Sequence, residues 1–148
     1  MTQKYRFSLV DYFKHRLVRH LLGLILLATG IGKALDIPGF VHIVASYQLL
    51  PSWGNVVMAV TLPFIELATG LGLLTAHYLR TAAYSAVMLH VMLLAAAAVT
   101  LWRGIHLDNC GCFGVFLARP LGMQTLIEDG ILLLLSLLIL FNSYRYRI

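Results

Sequence analysis

Two cysteines separated by one glycine are the residues of this chain best suited to chemistry. Cys110 and Cys112 are its only cysteines, and they lie in the segment 106–114, which reads HLDNCGCFG. Gly111 between them permits the unusual backbone that a small disulfide ring requires. Such a ring is strained, and strained, exposed disulfides exchange with other thiols rather than acting as staples. The spacing therefore favours thiol–disulfide exchange.

Two other interpretations of the cysteine pair stay open. The thiols could be a reduced or inert pair in a tight turn, or they could capture a soft metal such as copper, because closely spaced thiolates with His106 nearby suit such ions. Two cysteines leave a tetrahedral zinc ion short of ligands, so we predict no structural zinc site.

Ionisable side chains inside apolar runs form a second group of candidates. Glu66 and His90 each lie about 15 Å from a helix end at 1.5 Å per residue, which places both near mid-membrane on neighbouring helices. A carboxyl at that depth is costly unless it is neutral or paired, so Glu66 is a functional candidate with His90 or Lys33 as its partner. For His90, a core histidine with a satisfied hydrogen bond is the simpler interpretation. The residues that we expect to bind or support are Glu66, His90, Lys33, His106 and Asp108.

The elements that must position these groups are membrane-spanning helices. Hydrophobic residues make up 60% of the 148 residues and charged residues 11%, whereas soluble domains have about 45–50% and about 25%. Four apolar runs, residues 17–34, 56–78, 81–102 and 122–142, are each long enough to span a bilayer as a helix. The sequence therefore predicts an all-α, integral membrane four-helix bundle whose surroundings are membrane lipids.

The connection between the first two runs predicts a further helix. Residues 36–39 break the first span, and the apolar side chains of Phe40, Ile43, Val44 and Tyr47 then recur at helical spacing. This pattern is typical of a short interfacial helix between spans 1 and 2, which would cover the cysteines. Small residues in the phrases ATGIG (28–32) and ATGLG (68–72) predict close packing of those two spans.

The distribution of basic residues predicts the orientation. The net charge of +5 comes from residues at the ends of the apolar runs and forms no continuous stripe, so we expect no nucleic acid partner. Of the eleven Lys and Arg residues, all but Lys33, Arg103 and Arg119 fall on the side of the termini. The positive-inside rule then places both termini in the cytoplasm of a bacterial inner membrane, with the cysteines outside.

The same patterns divide the chain into three parts. Residues 1–16 form a cytoplasmic extension, 17–142 the four-span domain and 143–148 a cytoplasmic tail. The first apolar run has no A-x-A-like cleavage site, so we expect an uncleaved first helix.

Several short phrases give the chain a family resemblance. They are Gly32-Lys33, Tyr47-x-x-Leu50-Pro51, Pro63-x-x-Glu66-x-x-x-Gly70 and Cys110-Gly111-Cys112-Phe113-Gly114. Together they resemble the methylamine-utilisation protein MauE family, part of the DoxX-like group of small four-helix membrane proteins, over residues 17–141. The resemblance implies a helper that acts with an extracytoplasmic thioredoxin-like protein in maturing periplasmic methylamine dehydrogenase, whose small subunit is rich in disulfides.

Three functions follow as hypotheses. The first is an accessory thiol–disulfide oxidoreductase that uses Cys110 and Cys112. The second is a non-enzymatic scaffold subunit of a larger membrane complex, and the third is a transporter of a small solute or soft metal. No second cysteine pair exists in the chain, so a partner protein or a quinone must complete any redox cycle. A quinone head group near Glu66, His90 or the outer bundle mouth is the one cofactor that we consider.

Overall fold

The described part of the chain folds into five helices. The computed structural model describes residues 9–145, with side chains for 15–144. The helices are α1 (Leu9–Ala34), α2 (Ile37–Ser46), α3 (Ser52–Thr75), α4 (Leu79–Trp102) and α5 (Met123–Arg145). Residues 1–8 and 146–148 of the predicted extension and tail lie outside the described residues. The part of the chain that is described contains no strand, and the predicted all-α class is confirmed.

Four of the helices have the length and composition of membrane spans. The spans are His15–Ala34, Ser52–Thr75, Leu79–Trp102 and Met123–Tyr144. Each exposes large apolar side chains such as Leu24, Phe64, Met88 and Leu134, which suits contact with lipid. The predicted four spans are confirmed, and the chain is a multi-pass membrane protein.

Helices α1 and α3 approach closely through glycines. A side chain at Gly70 would meet the Gly23 carbonyl at 2.8 Å, and one at Gly30 would meet the Pro63 carbonyl at 3.0 Å. Small residues let two helix backbones come together without hydrophobic driving force in lipid. The predicted close packing of spans 1 and 2 is confirmed, although the glycine of each phrase faces residues outside the other phrase.

Helix α2 is the short helix that the sequence predicted between spans 1 and 2. The Asp36 side chain accepts a hydrogen bond of 2.9 Å from the backbone N–H of Gly39, which satisfies one free donor of the first turn. Its apolar face packs on α3, and Phe40 on that face is buried. The helix ends at Ser46, shortly before Gln48 takes a left-handed backbone with φ 53°.

At the end of the bundle that holds the cysteine loop, α1 is shorter than its neighbour α3. Gly30 faces Glu66, and α1 continues only four residues past Gly30, or about 6 Å, to Ala34. From Glu66, α3 extends fourteen residues, or about 21 Å, to its first residue Ser52. The space left above the end of α1 is occupied by α2 and by the segment that carries the cysteines.

Candidate functional site

The cysteine segment is a compact loop held by its own hydrogen bonds. Gly111 and Gly114 have φ of 73° and 67°, a left-handed conformation that favours glycine. The Asn109 side chain accepts from the Gly111 N–H at 2.9 Å and donates to the Gly114 carbonyl at 3.2 Å. The Cys110 N–H donates to the Arg119 carbonyl at 2.7 Å, which joins the two limbs of the loop.

The two cysteine sulfurs lie side by side. Both are free thiols, and their Sγ atoms are 2.6 Å apart. Cys110 is only 6% exposed, whereas Cys112 is half-buried. Gly111 between them leaves room for the Phe40 and Ile43 side chains of α2, which a side chain at that position would meet. Helix α2 therefore covers the pair from one side, and Cys112 is the more accessible sulfur.

The two thiols differ in acidity. The hydrogen bond from the Cys112 side chain is the largest cause that lowers the pKa of Cys110, to about 6, and the charge of Arg119 adds to it. The same hydrogen bond and burial raise the pKa of Cys112. The Cys112 N–H also donates to the Cys110 sulfur at 3.4 Å, so Cys110 is the sulfur that its surroundings favour as a thiolate. A thiolate is the reactive form of cysteine.

Side chains at the ends of α1 and α2 hold the loop through the carbonyls of its cysteines: Lys33 in the last turn of α1, and Tyr47 directly after α2. The Tyr47 hydroxyl donates to the Cys110 carbonyl at 2.6 Å, and the Lys33 ammonium donates to the Cys112 carbonyl at 2.9 Å. Burial raises the pKa of Tyr47, so its hydroxyl stays protonated and remains a donor. Each cysteine is thus fixed to a different helix.

Lys33 and Glu66 form a buried ion pair directly under the loop. The Lys33 Nζ lies 2.8 and 2.9 Å from the two carboxylate oxygens of Glu66, and the two residues are only 2% and 1% exposed. With the bond to Cys112, all three ammonium protons of Lys33 have acceptors. Lys33 was one of the two partners that the sequence allowed for Glu66, and it is the one observed.

His90 is bonded elsewhere. Its Nδ1 lies 2.7 Å from the Ala86 carbonyl of its own helix and 3.1 Å from the Ser136 hydroxyl of α5. The predicted pairing with Glu66 is therefore not observed, and the interpretation of His90 as a satisfied core histidine describes these contacts.

Two cavities of about 330 Å³ each meet at the cysteine pair. The interior cavity is lined by Glu66, His90 and Asp129 among others, and the side cavity by apolar residues of α2, α3 and α4. Four residues line both cavities and so form the wall between them: Lys33, Tyr47, Leu93 and Cys110. Cys110 therefore borders two mainly apolar cavities, of which the interior one has more ionisable side chains in its lining.

Comparison with known proteins places the whole arrangement in a family. Residues 11–142, which include α2 to α4, the cysteine loop and most of α1 and α5, match the family described as "Methylamine utilisation protein MauE". The chain belongs to the MauE family. No solved structure matches it.

Two curated relatives of this MauE-family chain carry the name methylamine utilization protein MauE. The protein from Paracoccus denitrificans is 30% identical over 122 residues, which are 82% of this chain and 66% of the relative. The protein from Methylophilus methylotrophus is 35% identical over 104 residues, which are 70% of this chain and 52% of the relative. The chain thus spans between half and two thirds of the length of these relatives.

His106 and Asp108 are the two predicted site residues of this MauE-family chain that lie apart from the others. Both are exposed on the outside of the cysteine loop, and neither lines the two cavities. By contrast, the structure brings Lys33, Glu66 and the cysteines together at one place.

Sequence reasoning missed Tyr47 and Arg119 as members of the site. Tyr47 belongs to the phrase Tyr47-x-x-Leu50-Pro51, and its hydroxyl on an otherwise apolar helix face was a signal for a buried hydrogen bond. Arg119 offered no comparable signal, since its carbonyl accepts from Cys110 while its guanidinium pairs with Glu128 of α5. The hydrogen bond between the Cys110 N–H and the Arg119 carbonyl depends on how the loop folds back on itself.

Proposed function

We propose that this MauE-family protein is a membrane-embedded thiol–disulfide exchange protein. Cys110 and Cys112 would exchange a disulfide with an extracytoplasmic thioredoxin-like partner during the maturation of a periplasmic redox protein. The observation that carries this proposal is the pair of sulfurs 2.6 Å apart, of which Cys110 has the lowered pKa and Cys112 is the more exposed.

The charge distribution supports an extracytoplasmic position for the pair. The cysteine loop and α2 lie at the same end of the bundle, with the last turn of α1. That end contains three of the eleven Lys and Arg residues of the chain, and the remaining eight belong to the opposite end or to the terminal segments. By the positive-inside rule, the proposed location is the bacterial inner membrane with both termini in the cytoplasm.

The difference between the two sulfurs gives the first step of exchange a direction. When Cys110 and Cys112 are joined, a thiolate of the partner attacks the accessible Cys112 sulfur. The bond between Cys110 and Cys112 breaks, a bond between Cys112 and the partner forms, and Cys110 leaves as a thiolate. A leaving thiol of low pKa departs faster, so the depressed pKa of Cys110 favours attack at Cys112.

The second step completes the transfer. The second thiolate of the partner attacks the partner sulfur that is bound to Cys112 and expels Cys112, which takes up a proton. The partner is now oxidised to a disulfide, and the Cys110–Cys112 pair is reduced, as in the structure. Two electrons have moved from the partner to the pair.

The names of the relatives support a role in methylamine utilisation. Both are called methylamine utilization proteins, and a client such as a disulfide-rich methylamine dehydrogenase subunit would require disulfide formation outside the cytoplasm, where it is permitted. The bundle would hold the pair at the membrane surface, where a soluble thioredoxin-like partner can reach it.

Trapping with single cysteine variants tests the proposal. We expect Cys110→Ser, which keeps the accessible Cys112, to form a mixed disulfide with the oxidised partner by the reverse of the second step. This adduct should accumulate, because the Cys110 thiolate that would resolve it is missing. Cys112→Ser should accumulate much less, and the double variant provides the background. If both single variants oxidise the client as well as the wild type does, or if neither forms an adduct above the background, the exchange function is excluded.

A further inference from the structure

After one exchange the cysteine pair is reduced and must lose two electrons before it can act again. The chain has no other cysteine to receive them. The acceptor must therefore come from outside the chain and reach a sulfur that is 6% exposed on Cys110 or half-buried on Cys112. The structure offers a route through the side cavity, which ends at Cys110 and Gly111.

The side cavity has the composition of a site for an apolar ring. Its lining includes Phe40 and Ile43 of α2, Met58 of α3, and Met92 and Ala96 of α4. Lys33 is its one charged lining residue, and its ammonium is already neutralised by Glu66. A volume of about 330 Å³ is within the range of small-ligand sites, which are concave and largely apolar with few polar groups.

The mouth of the side cavity faces sideways from the bundle. Leu49, Leu50 and Val99 line the cavity and are 39%, 39% and 41% exposed, and Ala95 beside them is also exposed. Ala95 and Val99 belong to the span Leu79–Trp102. A ligand dissolved in the bilayer could therefore enter between α4 and the connection from α2 to α3.

We propose that the side cavity binds the ring of a lipid-soluble quinone next to Cys110, and that this quinone reoxidises the cysteine pair. This inference rests on the proposed exchange function. A quinone is the chemical class that fits, because it dissolves in lipid, presents a flat and largely apolar ring, and accepts two electrons together.

The electrons and protons of this step balance. The Cys110 thiolate and the Cys112 thiol lose two electrons and one proton, and a bond forms between their sulfurs. The quinone gains the two electrons and two protons and becomes a quinol. One of those protons comes from Cys112. The other comes from solvent, because Cys110 is already a thiolate.

The interior cavity is less suited to the ring. It is lined by Glu66, Asp129, Arg119 and Glu128, and burying charged groups against an apolar ring would remove their hydration without replacing it. Water in that cavity could instead carry the proton. Apart from Lys33, the charged side chains thus border the interior cavity and not the side cavity.

The test uses two alanines of α4 that differ in where they point. Ala96 lines the side cavity, so Ala96→Phe should fill it. Ala98 lines neither cavity and is exposed, so Ala98→Phe adds the same ring on the lipid-facing side and serves as the matched control. The full chain in lipid nanodiscs is first reduced, and the reductant is then removed under anaerobic conditions. Decylubiquinone or menadione is added afterwards. Quinone loss, free thiols and intact mass are then followed.

We expect the wild type to convert one quinone per chain to quinol with loss of both thiols and without a covalent adduct. Ala96→Phe should slow this step by about tenfold or more while exchange with a thioredoxin-like dithiol is retained, and Ala98→Phe should match the wild type. A wild type that exchanges disulfides yet reduces no quinone would overturn this inference and leave the exchange function standing. A wild type that does neither would overturn both.

A binding measurement keeps the result independent of turnover. In Cys112→Ser, alkylation of Cys110 by iodoacetamide should slow when a redox-inert quinone analogue is added, and Ala96→Phe in the same background should abolish that protection. Equal alkylation with and without the analogue would exclude the side cavity as its site, even if Ala96→Phe had folded poorly in the turnover assay.

Discussion

The ammonium of Lys33 lies 2.9 Å from the carbonyl oxygen of Cys112. The same ammonium donates to both carboxylate oxygens of Glu66, so one side chain of α1 joins the cysteine loop to α3. Its position at the end of α1 allows this, because the loop rests directly on that end. The geometry of the sulfurs and a buried ion pair in the bundle are therefore linked by one residue.

Breaking this ion pair from one side should destabilise the protein. Lys33→Met leaves the Glu66 carboxylate buried without a counter-charge, and Glu66→Gln leaves the ammonium so, each at a cost of about 3–5 kcal/mol. The double variant Lys33→Met/Glu66→Met should recover much of that loss, since no unpaired charge remains. Reversible unfolding in detergent would measure the free energies. Additive losses in the double variant would show that the two charges are not coupled.

The reactivity of Cys110 should change little between pH 7 and pH 9. Its pKa is lowered to about 6, so the thiol is already mostly ionised at pH 7, and the thiolate is lost only as the pH falls through about 6. An ordinary cysteine with a pKa of about 8.5 would react roughly twentyfold faster at pH 9 than at pH 7. Timed alkylation, with peptide mass spectrometry to separate Cys110 from Cys112, gives the profile. Protein unfolded in denaturant should show the ordinary rise, and an ordinary rise in the folded protein would contradict the assignment of the thiolate.

Glycine at position 32 should be required for the loop to seat on α1. A side chain there would lie 2.7 Å from the Phe113 carbonyl, a backbone atom that cannot move alone. Gly32→Ala should therefore lower stability and speed alkylation of Cys110, although alanine is the better helix former by about 1 kcal/mol. In α5, Gly130 has open space around it, so Gly130→Ala should be neutral or stabilising. Equal stabilisation by both variants, measured by unfolding, would refute the close contact.

Loss of the Tyr47 hydroxyl should loosen the Cys110 side of the loop. Tyr47→Phe removes the donor to a carbonyl beside a buried residue and should lower the free energy of unfolding by about 1–2 kcal/mol. Alkylation of Cys110 should become faster as its carbonyl loses this contact. Tyr84 is 58% exposed on α4, so Tyr84→Phe is the control and should behave as the wild type. An unchanged alkylation rate in Tyr47→Phe would mean that the hydroxyl does not hold the loop.

The fold was largely predictable because lipid imposes strong rules on sequence. Apolar run lengths gave four spans, the breaker at Asp36 and the helical spacing after it gave α2, and the glycines at 30 and 70 gave the α1–α3 contact. Each of these signals is local to one segment. The cysteine pair was found in the same way, from two residues and the glycine between them.

Contacts between distant segments could not be predicted in the same way. Glu66 had two candidate partners, His90 at a similar depth and Lys33 at the end of the first span. Only the reach of the Lys33 side chain from the end of α1 decides between them. The joining of Tyr47 to Cys110 spans 63 positions of sequence and depends on how α2 folds over the loop. Both contacts depend on α1 stopping short of α3 at the end of the bundle that holds the loop. The apolar runs give the length of each span, but they do not show how far one helix extends past its neighbour.

That early end also sets a limit on what can touch the sulfurs. Helix α3 rises about 15 Å further than α1 on the same side of the bundle, and the loop is tied down by Lys33 and Tyr47 rather than free to swing outward. A visiting molecule must therefore bring its own reactive atom to the half-buried Cys112 sulfur where it lies. Steric access would then select among thiols before their reactivity does, and small thiols would react with Cys112 where bulky ones do not.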